Sequence, residues 1–262
     1  MQLEPLQYLL GVLSGSVVGM TLGMFGGGGS IMAVPLMVYL VGVPNPHVAI
    51  GTSAFAVAAN AVANLVNHAR HGHVKWRCAF LYSVAGILGA LAGSSLGMAV
   101  DGQKLLLLFG LLMLLVGALM FRGRRNEGNP GAECNVEKAP KVLGFGALTG
   151  AFSGFFGIGG GFLIVPGLVA STGMPILNAI GSSLVAVAAF GLTTSFNYAF
   201  SSLVDWRLAL LFVSGGVVGG YAGSMASRRL STKKGALNIA FACLIFIVAL
   251  YIIWRSANTL MA

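Results

Sequence analysis

Acidic side chains are almost missing from this chain. Only six Asp and Glu occur among 262 residues, and charged residues of both signs make up 8%; soluble domains carry about 25%. The acids are Glu4, Asp101, Glu127, Glu133, Glu137 and Asp205, and none falls in the middle of an apolar segment. That removes a buried carboxylate for proton relay and a carboxylate pair for hydrolysis. No HExxH and no Ser-His-Asp pattern is present, so an enzyme is disfavoured and no catalytic residue is nominated. Cysteine is scarce too. Cys78, Cys134 and Cys243 lie far apart, in no CxxC or metal spacing, so neither a disulfide framework nor a metal site is expected. No cofactor motif occurs; the glycine runs lack the Lys-Ser/Thr of a nucleotide P-loop. Met1–Glu4 has no basic n-region and no cleavage site follows, so the first apolar segment is expected to act as the insertion signal.

What is abundant is apolar surface: 57% of the residues are hydrophobic. Uncharged apolar stretches of roughly 18 or more residues read as membrane helices. They occur at 6–25, 47–66, 78–100, 105–121, 142–156 running on to 162–172, 178–200, 208–227 and 236–254. The expectation is an all-α, polytopic protein of the inner (cytoplasmic) membrane, with about seven to eight crossings. Its surroundings are the lipid bilayer. The net charge of +9 is no nucleic-acid signal, because the basic residues cluster at helix ends.

The sequence repeats itself. Gly26-Gly27-Gly28-Gly29-Ser30, Pro35, Pro44 and Gly51-Thr52-Ser53 return as Gly157-Ile158-Gly159-Gly160-Gly161, Pro166, Pro175 and Gly181-Ser182-Ser183. Further on, Asn67 matches Asn197, and Trp76-Arg77 matches Trp206-Arg207. Gly86, Gly89, Gly93 and Ser94 match Gly216, Gly219, Gly223 and Ser224. The chain divides into repeat one (1–121), a linker (122–141) and repeat two (142–262). The linker holds three of the six acids among several Arg and Lys, and is expected in the cytoplasm.

Charge placement gives the relative orientation of the repeats. Arg70, Lys75 and Arg77 lie after the second apolar segment of repeat one, with only Lys104 after the third. In repeat two only Arg207 takes the first place, and Arg228, Arg229, Lys233 and Lys234 take the second. Inverted-topology repeats put twelve of the fifteen basic residues on the cytoplasmic side. Inversion needs an odd number of crossings per repeat, so the first helix of each must be broken. A helix to Phe25, a break at Gly26–Gly29 and a half-helix from Ser30 to Leu40 are predicted. The second break is placed at Gly157–Gly161, with the helix resuming at Phe162.

Three groups of residues can carry chemistry. Non-helical backbone at membrane depth survives only where protein buries it or a cavity receives it. Gly28, Gly29, Ser30 and Gly159, Gly160, Gly161 therefore start fresh helices whose free N–H groups suit an anion, and inverted repeats would make these N-termini face each other. Close helix packing is the plainer use of such glycines. Thr52, Ser53, Ser182 and Ser183 can donate to an oxyanion or simply cap and bridge helices. Asn60, Asn64 and Asn67 share one helical face, with Thr194 and Asn197 as mates of the last two; neutral amides suit a ligand that needs hydrogen bonds, or else join helices. His68, His71 and His73 read as interfacial and solvated. The Trp-Arg pairs read as interface anchors. Gly86, Gly89 and Gly93 with their mates read as packing faces.

The doubled G-x-F-G-x-G-G-[GS]…P pattern, at Gly23–Pro35 and Gly154–Pro166, resembles the TauE/SafE family of sulfite and organosulfonate transporters. The likeness spans essentially the whole chain. It implies a membrane transporter for a small sulfur-containing anion, usually outward, by alternating access. An anion channel, or an importer of a reduced sulfur compound, is the alternative on the same fold. A homo-oligomer is left open. Ile158 stands where repeat one has Gly27, and Gly161 where it has Ser30, so the two half-sites are chemically unequal.

Overall fold

A computed structural model describes residues 5–122, 134, 138–157, 161–231 and 236–261. Every element among them is helical: α1 (Pro5–Phe25), a 3₁₀ segment (Gly26–Met32), α2 (Ala33–Pro35), a π-helical turn (Leu36–Leu40), α3 (Pro46–Arg70), α4 (Trp76–Met98) and α5 (Gly102–Arg122). Repeat two supplies α6 (Ala139–Phe156), α7 (Gly161–Thr172), α8 (Ile176–Phe200), α9 (Trp206–Ser231) and α10 (Ala236–Met261). Among the described residues six helical stretches are long and apolar enough to cross a membrane, and two shorter apolar helices join them. Their outer faces show Phe80, Leu88 and Val218, each about 70% exposed, which is lipid-facing surface in a bilayer.

The first helix does break, though more sharply than the glycine run implied. Phe25 ends α1, and Gly26 alone adopts the left-handed conformation, with φ +61°. Only glycine takes that φ without strain. Gly27, Gly28 and Gly29 are already helical, in the 3₁₀ segment, so the expected four-residue break and restart at Ser30 are corrected. The chain folds back along α1: the Thr21 hydroxyl donates to the Gly29 carbonyl at 3.0 Å, and Gln7 Nε2 donates to the Val41 carbonyl at 3.1 Å. In repeat two, α6 ends at Phe156 and Gly157 turns the chain at φ +64°. Helix α7 resumes at Gly161, one residue earlier than predicted.

Loops gather at two ends of the bundle. At one end Asn178 donates to the His73 carbonyl, and the Ser182 hydroxyl accepts the Lys75 N–H. Lys138 Nζ reaches the Thr172 carbonyl there too. At the other end Thr52 accepts the Asp205 N–H, and Gly102 abuts Pro46. Helix α3 thus starts where α8 finishes, and the repeats run antiparallel, as the charge reversal required.

Cross-repeat packing holds the bundle together. A Cβ on Gly15, Gly19 or Gly23 of α1 would lie 2.1, 1.9 or 2.3 Å from the carbonyl oxygens of Phe212, Gly216 and Gly220 on α9. The mates on α6, Gly146, Gly150 and Gly154, meet Tyr82, Gly86 and Ala90 of α4 at 2.5, 2.2 and 2.1 Å. Lipid tails are as apolar as leucine, so intramembrane association depends on such close contact. Each repeat lays its first helix on the long helix α4 or α9 of the other.

Candidate functional site

The glycine turns sit against the opposite repeat. Gly26 is lodged on the Ile180 carbonyl and the Ser183 hydroxyl, and Gly157 on the Ile50 side chain. Each turn packs on the long helix of the other repeat, and these two helices run antiparallel; the 3₁₀ segment after the first turn also packs on α7, while residues 158–160, before the second N-terminus, lie outside the described residues. The Gly27 N–H donates to Ser183 Oγ at 3.0 Å, and the Ser183 hydroxyl donates to the Ile180 carbonyl at 2.8 Å. Gly28 faces the Phe241 ring, with a Cβ there falling 2.3 Å from two ring carbons. Gly29 lies on the α1 backbone at Thr21–Leu22. Ser30 is fully buried and donates to the Gly27 carbonyl at 2.8 Å. In this conformation the first turn is sealed by protein. Gly159 and Gly160 lie outside the described residues, and Gly161 opens α7.

The hydroxyl pairs turn out to bridge. They sit one to two turns inside α3 and α8; the N-cap of α3 is Asn45, whose side chain accepts the His47 N–H at 2.9 Å. Thr52 and Ser182 each accept one loop N–H from the other repeat, at 2.9 and 2.8 Å. Ser53 donates to the Ile50 carbonyl at 3.0 Å.

The asparagine face is different. Asn60 is completely buried, and neither its amide oxygen nor its amide nitrogen has a hydrogen-bond partner. It lies against Gly216 of α9, where a Cβ would come within 1.9 Å of its nitrogen. Asn64, one turn on, donates to the Asn60 carbonyl at 2.9 Å and borders Gly23 and Gly220. Asn67 donates to Ser224 of α9. The next polar side chain on that face is His68, whose Nε2–H donates to the Gly23 carbonyl at 3.2 Å. Only 2% of His68 is exposed, so its solvated reading is corrected: α1 covers it. A shallow pocket lined by Asn67, His68, His71, His73 and Ser224 caps this file. Ser224 was legible in sequence only as a packing residue, the mate of Ser94.

Repeat two builds the same groove with other side chains. Phe190 takes the place of Asn60 and lies on Gly86, Thr194 replaces Asn64, and Tyr198 replaces His68. Asn197 donates to Ser94 and Ser95 at 2.7 and 3.0 Å, as Asn67 does to Ser224. The Thr194 and Tyr198 hydroxyls are buried without partners.

Two further features bear on the site. Cys78, at the start of α4, is bonded to Cys134 with the Cα atoms 5.4 Å apart, which corrects the expectation of no disulfide. The linker returns to the end where α4 begins, a proximity that a separation of 56 residues hides. A cavity of about 290 Å³ lies between the segment Met32–Leu40 and α10. Tyr39 and Tyr251 are its only hydroxyl-bearing side chains, so it offers an anion little. Among the described residues no cluster of three His, Cys, Asp or Glu is placed to hold a metal ion.

A family model described as "Sulfite exporter TauE/SafE" matches residues 11–252. A "Probable membrane transporter protein" of Xylella fastidiosa (strain 9a5c) is 56% identical over 95% of this chain and 96% of its own length. The Bacillus subtilis "Probable membrane transporter protein YunE" is 24% identical over 87% of the chain and 91% of its own. The Methanocaldococcus jannaschii "Probable membrane transporter protein MJ0441" is 27% identical over 66% of the chain and 65% of its own. No solved structure matches significantly.

Proposed function

The chain belongs to the TauE/SafE family of membrane transporters, and from that premise we propose that it exports a sulfur oxyanion, sulfite or an organosulfonate, across the cytoplasmic membrane by alternating access. The observation that carries the choice of site is Asn60. A buried amide with donor and acceptor both unspent is costly to leave unmade, about 1–3 kcal/mol per group. A dehydrated sulfonate oxygen would use the donor, and an ordered water the acceptor. The glycine turns and Ser183 then act as the joint on which the site opens, since Gly27 and Ser183 couple one repeat's turn to the other's long helix. Thr52 and Ser182 hold the loops beside them.

In this reading residues 1–121 and 142–262 are the two moving units, and 122–141 lies in the cytoplasm with the basic end. No acid lies within α1, α3, α8 or α9 to accept a coupling proton. Export does not need one. An interior negative by about 100 mV drives each exported negative charge by about 2.3 kcal/mol.

The test is flux from proteoliposomes loaded with sulfite. Efflux should rise when the interior is made negative. Flux driven by a pH gradient and indifferent to potential would overturn electrogenic export. Thermal stabilisation by sulfite, sulfate, taurine, sulfoacetate, thiosulfate and a carboxylate control would identify the ligand class; stabilisation unchanged in Asn60→Ala would move the site elsewhere.

A further inference from the structure

One of the two matched cross-repeat seams carries a covalent bond and the other does not. Cys78, in the first turn of α4, is bonded to Cys134, shortly before α6 begins. The corresponding position on α9 is Leu208, whose side chain lies against Gly11 of α1. Neither α1 nor α9 contains a cysteine, yet the two pack through Gly15, Gly19 and Gly23 as closely as α4 and α6 do. The bond is therefore not what brings a seam together. What it adds is a tie between repeat one and the segment that enters repeat two, where Lys138 Nζ reaches the Thr172 carbonyl.

Its surroundings suit a small reagent. Cys78 is 2% and Cys134 5% exposed, while Trp76, Arg77 and Lys138 beside them are exposed. The bond thus lies just beneath a rim, closed to a bulky thiol or a protein reductase. A local opening of that rim suffices for a small anion. In the proposed topology this end faces the cytoplasm, where lasting disulfides are rare and the exceptions are mostly transient, catalytic or redox-sensing.

We propose that Cys78–Cys134 is a reversible modification site for sulfite, through which the cargo releases a restraint on its own carrier. The inference rests on the reading of the protein as an exporter of sulfite-class anions. The sulfur lone pair of sulfite attacks Cys134 Sγ. A new S–S bond forms, the Cys78–Cys134 bond breaks, and its electron pair leaves on Cys78 Sγ as a thiolate. The disulfide is the oxidant and sulfite the reductant, so no other reactant is needed, and Cys134 ends as an S-sulfonate. Cys78 is the leaving group because it sits at the positive end of α4, whose first turn contains no acid and whose N-cap makes no side-chain hydrogen bond. When sulfite falls, the Cys78 thiolate attacks Cys134 Sγ, expels sulfite and re-forms the bond. That return is intramolecular, so the cleaved fraction follows the sulfite concentration. Cleavage frees repeat one from the entry to repeat two, and flux rises with cargo on the side from which it is exported.

The chemistry is tested by incubating the purified full-length protein with sulfite near neutral pH, quenching in acid to stop exchange, and mapping the cysteines by mass spectrometry. One S-sulfonate per chain is expected, on the Cys134 peptide, and it should disappear when sulfite is dialysed away. Sulfate, which has no lone pair on sulfur, should leave no adduct. The consequence is tested by adding sulfite outside proteoliposomes whose interior is made positive, so that the carrier runs inward, and following uptake from the moment of addition. Wild type should show a lag. Cys78→Ser/Cys134→Ser should start without one, at an initial rate roughly two- to thirtyfold higher, the span of couplings carried through packed elements. Wild type reduced beforehand with a phosphine should lose the lag too, which keeps the test open if the double variant folds poorly. No adduct on protein that carries sulfite, or a time course that neither change alters, overturns the switch and leaves the transporter reading intact. Absence of sulfite flux in every form overturns that reading, and the switch with it.

Discussion

Replacing Asn60 by leucine should make the protein more stable and less active at once. The two side chains have the same number of heavy atoms and the same branch at Cγ, and the equivalent groove accepts an apolar group in repeat two, where Phe190 lies on Gly86. Asn60 has no exposed surface and two unpartnered polar atoms. Removing such groups recovers about 1–3 kcal/mol each in water-soluble proteins, and about 0.6–2 kcal/mol is the measured scale of polar contacts inside membranes. Taking the lower scale and allowing for imperfect packing, Asn60→Leu should gain about 1–2 kcal/mol, or roughly 2–8 °C in Tm for a chain of this size. The assay is thermal unfolding of the purified protein followed by tryptophan fluorescence, paired with sulfite efflux from proteoliposomes. Efflux should fall at least tenfold if one charge-assisted hydrogen bond of about 1.5–3 kcal/mol is lost. A variant that is less stable than wild type would mean the amide is already satisfied. A variant that transports normally would mean the amide never meets the substrate.

Gly28→Val should disrupt the Phe241 contact, because a Cβ there falls 2.3 Å from the ring; Phe241→Ala in the same chain should restore part of the lost Tm and flux, and no rescue would show that the clash lies elsewhere. Ser183→Ala strips the Gly27 N–H of its acceptor and should cost about 1–3 kcal/mol of stability, measured by thermal unfolding. Ser53→Ala removes only a donation to the Ile50 carbonyl and should cost less; equal losses would contradict the coupling through Gly27. Single cysteines at residues 71–75 and 201–205, in a background without native cysteines, should react with impermeant maleimide from opposite faces of the membrane. Labelling of both from one face would rule out the antiparallel repeats.

Much of the architecture could be read from the chain because it is written twice. Two copies whose basic residues swap ends satisfy the positive-inside bias best when inverted, so the reversal from Arg70–Arg77 to Arg228–Lys234 pointed to the antiparallel arrangement. The position of the break was legible because few sequences other than glycine runs interrupt an apolar stretch so abruptly. Which glycine turns was not legible: four permissive residues in a row are equivalent until a partner selects one, and Ile180 and Ser183 select Gly26. Helical spacing placed Asn60, Asn64 and Asn67 on one face, yet spacing says nothing about which helix that face meets. Hence the burial of His68 under Gly23, the bridge from Ser183 to Gly27 and the Cys78–Cys134 bond were all invisible. Each depends on contact between segments distant in sequence.

The cross-repeat helix pairings match one another and the side chains of the two grooves do not, and that difference bears on mechanism. If both grooves were polar, an anion could bind twice, and each half-reaction would have to empty two sites. Here the groove of repeat one offers Asn60, Asn64 and His68, whereas that of repeat two offers Phe190, Thr194 and Tyr198 in the same places. The first is rich in amide and imidazole groups; the second is interrupted by an aromatic ring. The first opens at the basic end of the bundle and the second at the other, because α3 and α8 run antiparallel. Matched helix pairings on the two sides would let the bundle exchange which mouth is open at little cost in strain. Under the proposed export reading, unequal linings would let one mouth attract the anion while the other holds it weakly and lets it leave. Converting Phe190 to Asn tests this directly. It should place a second unpaired amide beside Gly86, slow release, and lower efflux even where equilibrium binding of sulfite is tighter than in wild type. Faster efflux with tighter binding would show that repeat two does not serve as the exit.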